Sequence, residues 1–368
     1  MKVVHVIGDG RLRGAGLQLF YLASALSREV ETEVIAPPGS PLLTALATEP
    51  LSATALPFSG RRGFPLSDIR RFEEYFLSAK PDIVHTHGNL AARIGAALAG
   101  VPHLLSTRHG FPGGRARRCP LRAKLYNAVT SLTVTTAFVG GRRLHAEGIP
   151  REKIVTIQSG VPCETRHRED CRAAQCHALG IPEDAPVIAS FPVGKSSEWE
   201  ESGQCVLLRA FARVAAQEEK ARLLLFAGGG EEQELYRLAS LLGIGEAVRI
   251  FPEGTDPTPY RELPVLHVDP SHGSESSALT ACTFMSLGIP TVAADTEGMR
   301  EVIFEGENGL LFPPDNSYAL AEVLLHALDA PGFLPSLARG ARERYLKDFS
   351  LSRMERAYRD LYRRVVSS

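Results

Sequence analysis

The sequence predicts an α/β chain made of two doubly wound domains in tandem, each a parallel sheet flanked by helices. Three observations predict it. Short β-rich apolar runs alternate with stretches that place apolar residues at helical spacing, the pattern of a parallel sheet with helical crossovers. That rhythm breaks once, across residues 159–185, and then resumes. The length, 368 residues, fits about two domains at roughly 150 residues each.

The first series of strands is expected at residues 3–7, 33–36, 82–87, 103–107, 132–139 and 154–157. Leu19, Phe20, Leu22, Ala23 and Leu26 have helical spacing after the first strand, and Pro37-Pro38-Gly39 stops the second. The turn Ser159-Gly160-Val161-Pro162 and a polar stretch then mark an interdomain linker. The second series is expected at 187–191, 223–227, 248–251, 266–268 and 291–294. Residues 354–366 form an amphipathic helix with Tyr358, Leu361 and Tyr362 inward, long enough to reach back over the first domain. The expected division is a first domain of residues 1–165 with the closing helix 350–368, a linker of 166–185, and a second domain of 186–349.

Composition excludes several classes. A chain 44% hydrophobic and 23% charged is globular rather than disordered. No apolar run reaches the roughly 18 residues of a membrane helix, and the N-terminal stretch reads as a buried strand rather than a signal peptide. Six Cys are too few for a disulfide scaffold, so reduced thiols and a cytoplasmic location are expected. The net charge of −1 argues against nucleic acid as a partner. It hides an asymmetry: residues 1–165 carry 20 Lys and Arg against 12 Asp and Glu, the remainder 21 against 30. Two halves of opposite charge suggest different partners.

Several motifs in the chain occur together in one known family. They are Asp269-Pro270-Ser271 with Glu275, the run from Met285 to Asp295, the run from Gly298 to Ile303, and Asn308-Gly309 through Asp315. His85-Thr86-His87, Thr107-Arg108-His109-Gly110, residues 152–161 and the closing Phe349-Ser350 agree with its other half. In this order they resemble the group 1, or family 4, glycosyltransferases over nearly the whole chain.

The resemblance implies the GT-B architecture, two Rossmann-like domains facing a central cleft. It implies retaining transfer from a nucleotide-sugar donor to a glycan or lipid-linked acceptor, in cell-envelope polysaccharide or lipopolysaccharide synthesis. No resident cofactor and no metal are expected. His109 matches the histidine beside the transferring sugar, and Glu275 the first Glu of a Glu-x7-Glu signature that contacts sugar hydroxyls. Gly14, Ala15 and Gly16 are expected to bring backbone N–H groups and a helix N-terminus to the donor diphosphate. Ser277, Ala278 and Leu279 would do the same at the next site, beside Ser276. Val193-Gly194-Lys195 fits the first position of the family's basic pair, with Lys195 as the cation. Arg108, Arg115, Arg117 and Arg118, with Arg122, Lys124 and Phe111, form a basic run suited to a phosphorylated acceptor or the inner face of an anionic membrane.

The chain also departs from the family. The second Glu of the signature is Thr283, whose single hydroxyl cannot accept from both ribose hydroxyls. After Lys195, Glu198, Glu200 and Glu201 stand where a second cation is expected, leaving Arg300 as a candidate replacement. Ser276 replaces a Gly, and Ser159-Gly160-Val161-Pro162 replaces Asn-Gly-Val-Asp. An alternative is therefore an impaired pseudoenzyme serving as a binding or assembly subunit. Two further motifs are weaker. Residues 189–196 are too stiff for a phosphate-binding P-loop, and Cys163, His167, Cys171, Cys176 and His177 lack standard zinc spacing.

Overall fold

The computed structural model describes residues 1–59, 65–110, 119–164, 169–191, 203–228 and 230–367. The chain forms two compact units, residues 1–161 with 349–368, and residues 162–348.

The first unit holds seven parallel strands: β1 Lys2–Ile7, β2 Glu31–Ala36, β3 Ser52–Ala55, β4 Ile83–His87, β5 His103–Arg108, β6 Leu132–Thr135 and β7 Ile154–Thr156. Their order is β3-β2-β1-β4-β5-β6-β7. Strand order reverses between β1 and β4, the switch point at which doubly wound sheets bind ligands beyond the strands' carboxyl ends. Every residue of β4, its two His and one Thr included, is buried, as are Val3 to Ile7 of β1, so these central strands are covered on both faces.

One face is covered by the helix Leu351–Val366. Its Met354, Tyr358, Leu361, Tyr362 and Val365 are buried among Val3, Leu22, Leu26, Ile83, Leu105 and Val134. The spacing of these five residues is that of a single helical stripe. The approach to this helix is close at Gly160, where an added Cβ would fall 2.5 Å from the Ser350 carbonyl oxygen.

The second unit repeats the design with six parallel strands: β8 Val187–Ser190, β9 Arg222–Phe226, β10 Val248–Phe251, β11 Leu266–Asp269, β12 Thr291–Ala294 and β13 Gly309–Phe312. Their order is β10-β9-β8-β11-β12-β13, with the switch between β8 and β11. The helices Gly203–Gln217 and Ser317–Asp329 bury Leu207, Leu208, Phe211, Leu320 and Leu324 against one face. An aromatic row, Phe191, Phe226, Phe251 and Phe284, fills the other.

Four features differ from the sequence expectation. The run 132–139 ends as a strand at Thr135, because Arg108 and Thr156, its neighbours in register, end β5 and β7. Phe138 then opens a helix, Phe138–Glu147. Strands β3 and β13 are additional. The expected linker 166–185 contains the helix Glu169–Leu179, and Cys176, Ile181 and Ala185 are buried in the second core. The units divide at Val161 and Pro162 and again at Asp348 and Phe349. Among the described residues, no helix is long and apolar enough to cross a membrane.

Candidate functional site

Strand register in the first unit gathers histidines on one face. His5 of β1 lies beside His85 of β4, and Ile7 beside His87. Thr107 of β5 lies beside His87. Because side chains alternate with period two, residues 5, 85, 87, 107 and 109 share the face covered by the C-terminal helix.

Two contacts link three of these rings. His5 Nδ1 is 3.1 Å from His87 Nε2, and His87 Nδ1 is 2.7 Å from His109 Nε2. The His87 and His109 rings stack with centroids 5.0 Å apart. His85 is held separately, its Nδ1 2.6 Å from the Tyr362 hydroxyl and its Nε2 2.8 Å from Thr107 Oγ1. Burial pushes the pKa of His5 down to about 3 and those of His85 and His87 well below the ordinary value, since an imidazolium loses its hydration there. All three are therefore neutral. His5, His85 and His87 each bring one potential ligand nitrogen within 4.8 Å of the others, although the contacts above already engage both nitrogens of His85 and of His87.

The loop after β1 leads into the helix Ala15–Leu26, with Gly14 as its N-cap at φ 49°. Only glycine adopts that conformation readily. Gly16 is required by close approach, since a Cβ there would fall 1.9 Å from the Arg11 carbonyl oxygen. The three residues do not all present bare N–H groups, because Gly16 N–H donates to Arg13 O at 3.1 Å. In the same loop Arg11 forms a two-point ion pair with Asp9, and its guanidinium holds the Asp9 carboxyl below the usual range.

In the second unit the helix Glu275–Ser286 begins just past the carboxyl end of β11. Ser274 caps it, its Oγ accepting from Ser277 N–H at 3.1 Å, while Ala278 N–H donates to Ser274 O at 3.0 Å. Those two N–H groups are thus spent on the cap rather than offered to a ligand, and Leu279 lies past the first turn. The N–H groups of Glu275 and Ser276 precede them. Ser271 Oγ and Ser277 Oγ are 3.0 Å apart, and Ser271 N–H donates to Asp269 Oδ1 at 3.0 Å. Glu275 is only 6% exposed although it opens the helix. Thr283 lies two turns on, and its hydroxyl donates to the Leu279 carbonyl at 2.9 Å.

The basic residues are less available than their number suggests. Arg108 is 3.8 Å from Glu147, which also pairs with Arg143. Arg300 forms a two-point pair with Asp295. Among the described residues, the Cys and His of segment 163–177 form no group of three possible metal ligands. Gly194, Lys195, Arg115, Arg117 and Arg118 lie outside the described residues, as do Phe111 and His167. Sequence reasoning did not single out His5, Tyr358 or Tyr362 as site residues. The available signal was the period-two spacing of His85, His87, Thr107 and His109.

Comparison with known proteins bears on this arrangement. A family model described as Glycosyltransferase Family 4 matches residues 12–165, and one described as Glycosyl transferases group 1 matches residues 191–330. D-inositol 3-phosphate glycosyltransferase 1 of Catenulispora acidiphila is 31% identical over 71% of this chain and 67% of its own length. A second enzyme of that organism, D-inositol 3-phosphate glycosyltransferase 2, is 27% identical over 100% of this chain and 90% of its own. A solved glycosyltransferase of Rickettsia africae superposes with a TM-score of 0.82 at 19% identity, covering 99% of this chain and 98% of its own. Anabaena HepE, solved with UDP and glucose, gives 0.81 at 18% identity over 98% and 99%. These two likenesses show the shared fold of two Rossmann-like domains, the GT-B class. The matched motifs, the relatives and the fold agree, and this chain belongs to the group 1, family 4 glycosyltransferases.

Proposed function

We propose that this chain transfers a glycosyl group from a nucleotide-sugar donor to an acceptor hydroxyl with retention of anomeric configuration. The observation that carries the proposal is Glu275, a carboxylate buried at the helix start beyond β11, where doubly wound domains hold ligands. Family membership and the UDP-bound HepE neighbour support the donor class. Glu275 would take the sugar hydroxyls, and His109 of the first domain would donate to the transferring ring. Lys195 would stabilise the leaving diphosphate. The departing phosphate would receive the acceptor's proton as the new bond forms on the same face, so the transfer balances without a separate base.

The curated relatives named for D-inositol 3-phosphate make a phosphorylated cyclitol the first acceptor to try. An envelope glycan or lipid-linked acceptor is the second, and the basic run from Arg108 to Lys124 supports an anionic partner of either kind. A panel of UDP-, GDP- and ADP-sugars, assayed for nucleotide release with each acceptor, tests the reading. Glu275→Gln should lower kcat/KM by at least about tenfold without moving the melting temperature; unchanged kcat/KM would remove Glu275 from the reaction.

A second reading, a subunit that binds or assembles without turnover, is favoured by Thr283. Its hydroxyl is spent on its own helix, where a carboxylate would face the ribose. Calorimetric silence across the same panel would select that reading.

A further inference from the structure

We propose that His5 and His87 are positioning residues for His109, fixing which of its ring nitrogens carries the proton. The inference deepens the reading of His109 as a sugar-facing donor and rests on that reading only for its functional consequence.

Proton counting constrains the row. A neutral imidazole has one N–H and one lone pair, and each link in the row needs one of each. The two links run head to tail, Nδ1 of one ring to Nε2 of the next, from His5 through His87 to His109. If His5 donates through Nδ1, His87 accepts at Nε2 and keeps its own proton on Nδ1. His87 then donates to His109 Nε2, and His109 also holds its proton on Nδ1. The opposite sense reverses all three rings together. No mixed arrangement keeps both bonds, so the three tautomers form one unit.

The His5 end favours one sense. His5 is fully buried, and its Nε2 has no hydrogen-bond partner among the described residues. With the proton on Nδ1, this atom is an unused lone pair. In the reverse sense it is an N–H buried with nothing to accept it, and orphaned buried N–H groups are the rarer defect. His85 does not offer a relief route, since Tyr362 and Thr107 engage its two nitrogens. The row therefore ends blindly at His5 and serves as a tautomer lock rather than a path for protons. His109 accepts at Nε2 from His87 and donates at Nδ1, the polarity that suits a sugar hydroxyl oxygen. A ring's hydrogen-bond partner commonly sets its tautomer; here the control extends over two further residues.

Long-range 1H–15N spectra of the full chain labelled with 15N-histidine test the lock directly, with no substrate required. His5, His87 and His109 should all show a protonated Nδ1. An Nε2–H signature for His109, or averaging between tautomers in the unaltered chain, overturns the proposal. In His5→Phe, His87 and His109 should relax toward the Nε2–H form that free imidazole prefers; a retained Nδ1–H at His109 would overturn the role of His5. His87→Phe cuts the row one link later and must release His109 in the same way, which keeps the test decisive where His5→Phe does not fold. Zn2+ shifting the His5 and His87 signals in stoichiometric amount would also overturn it, because the metal would take the linking nitrogens.

Activity separates the two layers. His5→Phe should lower kcat/KM with the nucleotide sugar by about three- to tenfold, and should cost nothing further in a His109→Phe background. A confirmed lock with full turnover in His109→Phe would leave the tautomer assignment standing and remove His109 from the transfer reaction.

Discussion

The Tyr362 hydroxyl lies 2.6 Å from His85 Nδ1, joining the closing helix to a strand 277 residues earlier in the chain. Both groups are fully buried, and the other nitrogen of His85 meets Thr107. Tyr362→Phe keeps the ring and removes the partner, leaving a buried nitrogen unsatisfied. The expected loss is about 1–3 kcal/mol, read as a lower urea midpoint with an unchanged m-value. An unchanged midpoint would show that the hydroxyl contributes nothing net.

Stability should fall as the solution is acidified. His5 and His267 have folded pKa values of about 3 because burial disfavours their charged forms, and those of His85 and His87 are also lowered. In the unfolded chain the same rings titrate near about 6.5. Between those values the unfolded state binds more protons, so stability is fully present above about pH 6.5 and is lost toward pH 3. Each ring contributes a slope of up to about 1.4 kcal/mol per pH unit. Urea midpoints at pH 7.5, 6.0 and 5.0 should decline progressively, and less steeply in His267→Phe. A flat profile would mean that the imidazoles are not held neutral.

Two glycines should respond oppositely to Ala. At Gly160 the new Cβ would fall 2.5 Å from Ser350 O and 2.9 Å from Met354 Cβ, displacing the closing helix at a cost of about 1–3 kcal/mol. At Gly141, inside the helix Phe138–Glu147, the nearest atoms are 3.5 Å away, and the gain should be up to about 1 kcal/mol. Thermal melts of both variants check the contrast, and equal shifts of one sign would refute it.

Thr283→Glu restores a carboxylate two turns into the helix that Glu275 opens. Its side chain is partly exposed and its hydroxyl makes only a local bond. Calorimetry should show UDP affinity rising by about tenfold, or about 1.4 kcal/mol. No change in Kd would mean that this position does not face the ribose.

Much of the fold was legible because a strand buried on both faces announces itself. The apolar runs at β1, β8, β9 and β12 stand out in the chain. Strand β3, Ser-Ala-Thr-Ala at the sheet's edge and mostly exposed, has no such signature. The helix 169–179 was hidden by its polar composition, its burial resting on few residues such as Cys176. Within the site, Glu275 and His109 were visible through local motifs. His5 was not, since a single histidine in a strand gains meaning only once register sets it beside His85 and within reach of His87. The spent N–H groups of Gly16, Ser277 and Ala278 were invisible for a related reason: capping geometry decides them, and residue type does not.

The return of residues 349–367 to the first sheet has a consequence for biosynthesis. A ribosome extrudes the opening half long before the segment that shields its Val3–Ile83–Leu105 flank, and must translate the entire second lobe in between. During that interval the nascent sheet carries a greasy, uncovered side, a natural landing place for chaperones. Premature termination just before Phe349 should therefore harm the earlier-made lobe more than the one translated immediately upstream.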